Sequence, residues 1–262
     1  MQDEPKIGLA LSSGAARGFA HVGVLKVLEE ENIPVHYIAG SSMGALVGAL
    51  YAVGLPLKII EGLIVSLDRR HWLDWQFSKL GVISGKKIEE IIKLLTKDQN
   101  FEDLKIPLAV TATNLQTGEL VVFDRGSLAP AVRASISVPG IFPPVNFEGK
   151  ILVDGGVLCR VPVEEVRNMG ADAVIAVDVG LYIKEAVLNN IFDVVTQCID
   201  IMGRELMKFK VTEAEVLIRP EVSSINLTDF HKAQECISAG EKAARDVILN
   251  IKTLLKGRSH IA

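Results

Sequence analysis

The stretch "YIAGSSMGALVGALYAVG", residues 37–54, sets two serines between glycines and follows them with small and apolar residues. Within it, Gly40-Ser41-Ser42-Met43-Gly44 fits the pattern G-x-S-x-G. When a strand leads into this pattern and a helix leaves it, the middle serine sits on a sharp, strained turn whose neighbours have no room for a Cβ atom. The motif therefore centres on Ser42, and Ser41 is a spacer. In a chain this long the bare pattern arises by chance roughly one time in ten, so its context must carry the reading. That context is the required one. "HYIAG" reads as a strand breaking at Gly40, and Met43 to Val53 reads as a buried helix. A helix N-terminus behind the serine would stabilise developing negative charge. The competing reading is a glycine-rich turn with a capping serine.

A serine hydroxyl is a poor nucleophile until a base takes its proton. Of the five histidines, His21 shares a helix face with Val24, Leu25 and Leu28 and is expected in the core, while His36 precedes a strand. His71 lies in the loop "RRHWLDWQF", His260 lies in the tail, and His231 is the leading histidine candidate. Carboxylates are the alternative. Asp124, Asp154 and Asp178 each end a predicted strand, and in a parallel sheet the strand C-termini line the ligand edge. Asp154 stands out because Gly155 and Gly156 follow it and permit a tight turn, although Asp-Gly is also a common turn former.

Toward the N-terminus, "KIGLAL" (6–11) reads as a buried strand, followed by the small-residue loop Ser12-Ser13-Gly14-Ala15-Ala16-Arg17-Gly18 and a helix to Glu30. Backbone N–H groups of such a loop point at the sheet edge. They form either a phosphate cradle or an oxyanion hole, whose donors contribute about 3 to 4 kcal/mol each to acyl transfer. No acidic residue follows about 20 positions on, where a dinucleotide site needs one, and no G-x-x-x-x-G-K-[ST] occurs.

Further along, "KKIEEIIKLL" puts Ile88, Ile91, Ile92 and Leu95 on one helix face. "LAVTATN" (108–114), "LVVFD" (120–124), "ILVDGG" (151–156) and the wholly apolar "ADAVIAVDVG" (171–180) read as strands. A helix over about 186–209, a strand "AEVLIRP" and a helix over about 229–255 close the chain. Alternating strands and helices predict an α/β layered fold. With no repeat or linker, residues 1–262 are expected to form one domain, with core motifs in 6–180 and a helix-strand-helix in 186–255.

The 262 residues are 49% hydrophobic with a net charge of −4, which argues against a nucleic-acid partner and against simple attraction to anionic membranes. The N-terminus lacks a basic leader ahead of an apolar run, and the apolar stretch Met43 to Leu57 is too short for a bilayer span. Cys159, Cys198 and Cys236 have no metal or redox spacing. A cytoplasmic protein without metal or cofactor is expected.

The three elements in this order resemble the patatin-like phospholipase family, whose bacterial members commonly read G-G-G-x-R-G, G-x-S-x-G and D-G-G or D-G-A. "FAHVGVLKVLEEENIPV", "GVISGKKIEEII", "IPLAVTATNLQTGELVVF", "RASISVPGIFPPV", "GADAVIAVDVG" and "VLIRPEVSSINLTDFHKAQECISAGEKAA" extend the resemblance over nearly the whole chain. It implies a three-layer α/β/α fold with a mainly parallel central sheet. It also implies a Ser-Asp dyad of Ser42 and Asp154 with no histidine. Oxyanion donors would lie around Gly14 and Ala15, with Arg17 in the loop's basic position, and Gly40, Gly44, Gly155 and Gly156 would be motif glycines. The implied reaction is hydrolysis of a phospholipid or lysophospholipid acyl ester through an acyl-enzyme. Two departures stand out: Ser13 and Ala15 replace family glycines, and Cys159-Arg160 replaces a common Asn pair. If the loop needs positive φ, a Cβ there is unfavourable. The rival readings are therefore a catalytically weak regulatory or adaptor protein of the same fold, and a nucleotide-binding module.

A dyad base working near neutral pH requires Asp154 to be partly desolvated and tuned above the ordinary aspartate value of ~3.9. "RRHWLDWQF" (69–77) reads either as a lid dipping into lipid or as aromatics packed on the sheet, and "IFPPVNF" (141–147) as an acyl-channel wall or a rigid turn. The stripe Ile191, Val194, Val195, Cys198, Ile201 and Met202 is expected to be core. Peripheral membrane contact goes with a lipid substrate.

Overall fold

A computed structural model describes residues 5–66, 75–78, 81–83, 85–180, 191–207 and 213–256. In chain order the strands are β1 (Ile7–Leu11), β2 (Tyr37–Ser41), β3 (Trp75–Ser78), β4 (Gly81–Ile83), β5 (Leu108–Asn114), β6 (Glu119–Phe123), β7 (Val145–Phe147), β8 (Lys150–Asp154), β9 (Ala173–Val177) and β10 (Val216–Ile218). The helices are α1 (Ala20–Glu30), α2 (Met43–Ala52), α3 (Leu57–Ser66), α4 (Lys86–Leu95), α5 (Leu128–Ser135), α6 (Val163–Asn168), α7 (Ile191–Met207), α8 (Ala233–Asp246) and α9 (Ile248–Lys256).

Strands β10, β9, β1, β2 and β5 pair in that order, all parallel. β6 and β8 both pair antiparallel with β5, and β7 pairs antiparallel with β8. β3 and β4 form a separate hairpin. Every residue of β1 and β9 is buried, which is why "IGLAL" and "AVIAV" carry no polar alternation.

The two faces of the sheet differ in side-chain size. Leu9, Leu11, Ile38, Val110 and Ile175 enter a large core shared with α1 and α2. Ala10, Ala39, Ala109 and Ala176 line the opposite face with Val163 and Val166. The alanines let the short helix α6 approach closely, while the larger side chains fill the thicker layer. The result is a three-layer α/β sandwich with a mainly parallel sheet.

The C-terminal region differs from the sequence expectation in two ways. The single helix over 229–255 is a 3-10 turn at Phe230–Lys232, then α8 and α9, with a break at Val247 (φ −111°, ψ 5°). The break lets α9 bury Ile251 while Leu249 faces solvent. Secondly, the apolar stripe of α7 is not core: Ile191 is 65% exposed, Ile201 45%, Met202 58% and Leu206 52%. The helix is held instead through Asp200, which is buried in an ion pair with Arg160.

The stretch 69–77 lies mostly outside the described residues; only the backbone strand at Trp75–Ser78 belongs to them. Among the described residues, no helix is long and apolar enough to cross a membrane, and no group of three or more His, Cys, Asp or Glu side chains is placed to hold a metal ion.

Candidate active site

Strand β5 builds the site. Its first half pairs with β2, up to Ser41 opposite Thr111. Its second half pairs with β8 running the other way, with Asp154 opposite Ala112. β6 occupies the remaining edge, opposite Val110 to Asn114. β2 and β8 therefore meet end to end along one edge of β5, and the residue after β2 faces the last residue of β8. Ser42 Oγ donates to Asp154 Oδ2 at 2.5 Å across a separation of 112 residues. Asp154 is thus beside Ser42 for a different reason than the one the sequence suggests: its strand runs antiparallel to β5 and ends where β2 ends.

Ser42 adopts φ 53°, ψ −119°, a left-handed conformation unfavourable for a residue with a Cβ. It is only 5% exposed, and α2 starts at the next residue. The two motif glycines explain how the turn stays tight. A Cβ on Gly40 would lie 2.6 Å from the Ala45 backbone N and Cα. One on Gly44 would lie 2.7 Å from the Ser12 carbonyl oxygen and closer still to that of Leu11.

The Asp154 carboxylate is buried and accepts two hydrogen bonds, from Ser42 Oγ and from the Gly156 N–H at 2.7 Å. Burial pushes its pKa up to about 6, against the opposing effects of those two hydrogen bonds and of the Arg160 charge. Its own N–H donates to the Ser137 carbonyl at 3.0 Å.

The loop after β1 forms a 3-10 turn at Ala15–Phe19. The Ser12 N–H donates to Val177, Ser13 to Arg160, Ala16 to Leu227 and Arg17 to Gly14, all to backbone carbonyls. Among the described residues, the N–H groups of Gly14 and Ala15 have no acceptor. Ala15 has φ 46°, so the family-glycine position here does use a conformation that disfavours a Cβ. We expect Ala15→Gly to raise stability by about 1 kcal/mol without lowering the reactivity of Ser42, as read by thermal melts and probe labelling. Ser13 has no such strain; it packs against Gly156. Arg17 is buried and donates from Nε to the Ile225 carbonyl at 2.6 Å, which ties the loop to the segment before α8.

The other sequence candidates go elsewhere. Asp124 is exposed and paired with Arg125, while Asp178 is buried near Arg160. Ser41 Oγ is buried with no hydrogen-bond partner among the described residues. His21 is buried, with Nε2 2.8 Å from the Ser12 carbonyl, and burial lowers its pKa to about 4. His36 Nδ1 accepts from the Ile7 N–H, and His231 is exposed. His71 and His260 lie outside the described residues. In the 141–147 stretch, Phe142 is buried under the Arg133 guanidinium, 5.0 Å from ring centroid to Cζ, and Val145–Phe147 form β7.

Sequence reasoning missed Ser135, whose Oγ accepts the Ser42 N–H at 2.8 Å, and Ser137, which receives Asp154. Both sit in "RASISVPG" at the end of α5. No local pattern links that segment to residues 42 or 154; only its resemblance to family members marked it.

A strained serine at a strand-to-helix turn beside a buried aspartate, on a mainly parallel three-layer sheet, defines a class, and comparison with known proteins gives it a family. The patatin-like phospholipase family model matches residues 9–167, and the chain belongs to that family. It is similar to an uncharacterised NTE family protein of Mycobacterium tuberculosis, 40% identical over 176 residues, covering 66% of this chain and 49% of that protein. A patatin-like phospholipase domain-containing protein of Caenorhabditis elegans is 33% identical over 275 residues, covering 92% of this chain and 20% of that protein. A lysophospholipase of Aspergillus fumigatus is 35% identical over 180 residues, covering 66% of this chain and 12% of that protein. The chain thus spans half or less of the length of these curated relatives. Among solved structures, VipD from Legionella pneumophila shares the fold, with a TM-score of 0.67 at 16% identity over 97% of this chain and 67% of that one. ExoU from Pseudomonas aeruginosa does too, with a TM-score of 0.54 at 16% identity over 97% of this chain and 53% of that one.

Proposed function

We propose that the chain is a serine acyl hydrolase that cleaves lipid acyl esters of the phospholipid or lysophospholipid class through a Ser42–Asp154 dyad. The observation that carries this reading is the 2.5 Å hydrogen bond between the strained Ser42 hydroxyl and the buried Asp154 carboxylate. Family membership and the lysophospholipase named among the relatives support the substrate class.

In the proposed sequence, Asp154 takes the Ser42 proton as Oγ attacks the ester carbonyl carbon. The N–H groups of Gly14 and Ala15 receive the oxyanion, an arrangement consistent with their lack of acceptors among the described residues. Collapse of the intermediate breaks the ester C–O bond, and Asp154 returns the proton to the leaving alcohol. Water then attacks the acyl-Ser42 carbonyl with Asp154 again as base, the acyl C–Oγ bond breaks, Asp154 returns the proton to Ser42 Oγ, and the fatty acid leaves. No histidine takes part. The reading includes peripheral contact with a lipid surface, supported by the exposed apolar side chains on α7.

The test is labelling by a fluorophosphonate probe together with hydrolysis of short nitrophenyl esters, lysophospholipids and diacyl phospholipid vesicles. Labelling is expected in the native chain and absent in Ser42→Ala. Because Asp154 must be ionised to act and its pKa is about 6, the rate should rise with pH through a midpoint near 6 and level off above 7. A midpoint near 4, or loss of activity in His231→Ala with Asp154→Asn active, would replace the dyad. Absence of labelling in the folded native chain would favour a regulatory or adaptor protein instead.

A further inference from the structure

Six residues after Asp154, where family members commonly carry an asparagine, the chain buries Arg160 at 5% exposure. Its surroundings are unusual for an arginine outside an interface. Its carbonyl accepts the Ser13 N–H at 2.9 Å, so its backbone holds the loop that carries the Gly14 and Ala15 donors. Its guanidinium pairs with Asp200 of α7, Nη1 to Oδ1 at 2.5 Å, and lies 3.9 Å through Nε from Asp178 at the end of β9. A Cβ on Gly203 of α7 would sit 3.7 Å from Arg160 Nη1 and 3.6 Å from the Gly156 carbonyl oxygen, so this helix lies directly against the Asp154 turn. One residue thus joins three separate elements behind the dyad, the loop through its backbone carbonyl and α7 and the end of β9 through its side chain.

We propose that Arg160 is a positioning residue that locks the oxyanion loop and the Asp154 turn to helix α7 through Asp200 and Asp178, so that the seating of α7 sets the reactivity of the dyad. The inference deepens the reading of the chain as a dyad hydrolase and rests on it. Arg160 does not itself reach the reacting atoms. It acts through the loop it holds and through its charge, which favours ionised Asp154. The groups facing Asp154 are the Ser42 hydroxyl, the Gly156 N–H and the Arg160 charge, and those facing Arg160 are Asp178 and Asp200. Breaking a buried ion pair by removing one partner leaves the other charge uncompensated, so these three charges act as a unit.

The test uses the full chain and compares Arg160→Met, Arg160→Lys and Asp200→Asn with the native protein. The measurements are the rate and pH midpoint of fluorophosphonate labelling, kcat and KM for a short nitrophenyl ester, and amide exchange in residues 12–18. In Arg160→Met the labelling rate should fall about tenfold or more, with kcat falling rather than KM rising. Its midpoint should move up, because an attractive positive charge is gone. Asp200→Asn should move the midpoint the opposite way, because it leaves Arg160 less neutralised; a merely structural role gives no such opposed pair. Arg160→Lys keeps the charge without the fork, so it should hold the native midpoint with a reduced rate.

A native rate and midpoint in folded Arg160→Met would overturn the proposal. If that variant does not fold, a native rate and midpoint in Asp200→Asn would overturn it equally. If the native chain is not labelled at Ser42, the dyad reading falls by itself. Faster exchange of the Ser13 to Arg17 amides in the variants would then still support the lock, and unchanged exchange would reject it.

Discussion

Asp154→Asn is expected to abolish ester hydrolysis while making the protein more stable at neutral pH. Asparagine can still accept from the Gly156 N–H and meet the Ser42 hydroxyl, but it cannot take a proton. The loss of kcat should be on the order of 10^3-fold or more, leaving what binding and oxyanion stabilisation supply. The stability effect follows from the raised pKa of about 6 in the folded state. Between the unfolded value near 4 and 6 the folded protein binds more protons than the unfolded chain, so stability falls as pH rises through that window. Above it, the buried carboxylate costs as much as about 3 kcal/mol, from about 1.4 kcal/mol per pKa unit. Replacing it by a neutral isostere should recover part of that cost at pH 8, and the gain should shrink toward pH 4. Urea melts of both proteins across this range test the sign. A variant less stable than native at pH 8 would mean that the carboxylate is held by attractions stronger than its desolvation.

The second large effect is expected at Gly44, where the nearest atoms to an added Cβ are backbone. A methyl group there meets the carbonyls of Leu11 and Ser12 at the end of β1, and a backbone carbonyl cannot swing aside as a side chain can. Helix α2 must move away from the sheet, taking the Ser42 turn with it. Gly44→Ala should therefore destabilise by about 3 kcal/mol or more and slow probe labelling of whatever remains folded by about 100-fold. Gly62 in α3 is the control, since a Cβ built there meets nothing within 4 Å. Gly62→Ala should be neutral, or stabilise by up to about 1 kcal/mol, and leave labelling unchanged. Equal effects at the two positions would mean that backbone freedom, rather than the close approach to β1, decides the role of Gly44.

Much of this was legible in the sequence, and the reasons differ by element. The wholly apolar strands at 7–11 and 173–177 and the glycine-serine turn were readable because burial on both faces and a Cβ-free turn leave strong composition marks. Ser42 and Asp154 could be named, but the geometry that joins them could not. An antiparallel strand entering a parallel sheet leaves no trace in "ILVDGG", so Asp154 was brought beside Ser42 on a mistaken strand direction. The α7 stripe misled for the opposite reason: its spacing fits a core helix, whereas one buried charge, Asp200, sets which side faces inward. Helices α5 and α6 were not anticipated, since both are short and rich in residues that also serve loops. Ser135 and Ser137 were invisible for want of any local signature, because their partners lie far away along the chain.

The end-to-end meeting of β2 and β8 on β5 has a consequence for biosynthesis. Ser42 emerges from the ribosome 112 residues ahead of Asp154, and β5, which pairs with the strands of both, is made between them. A nascent chain that ends before β8 lacks the carboxylate that accepts from the Ser42 hydroxyl. On the dyad reading, such a chain is expected to gain ester-hydrolysing activity only once β8 docks on β5.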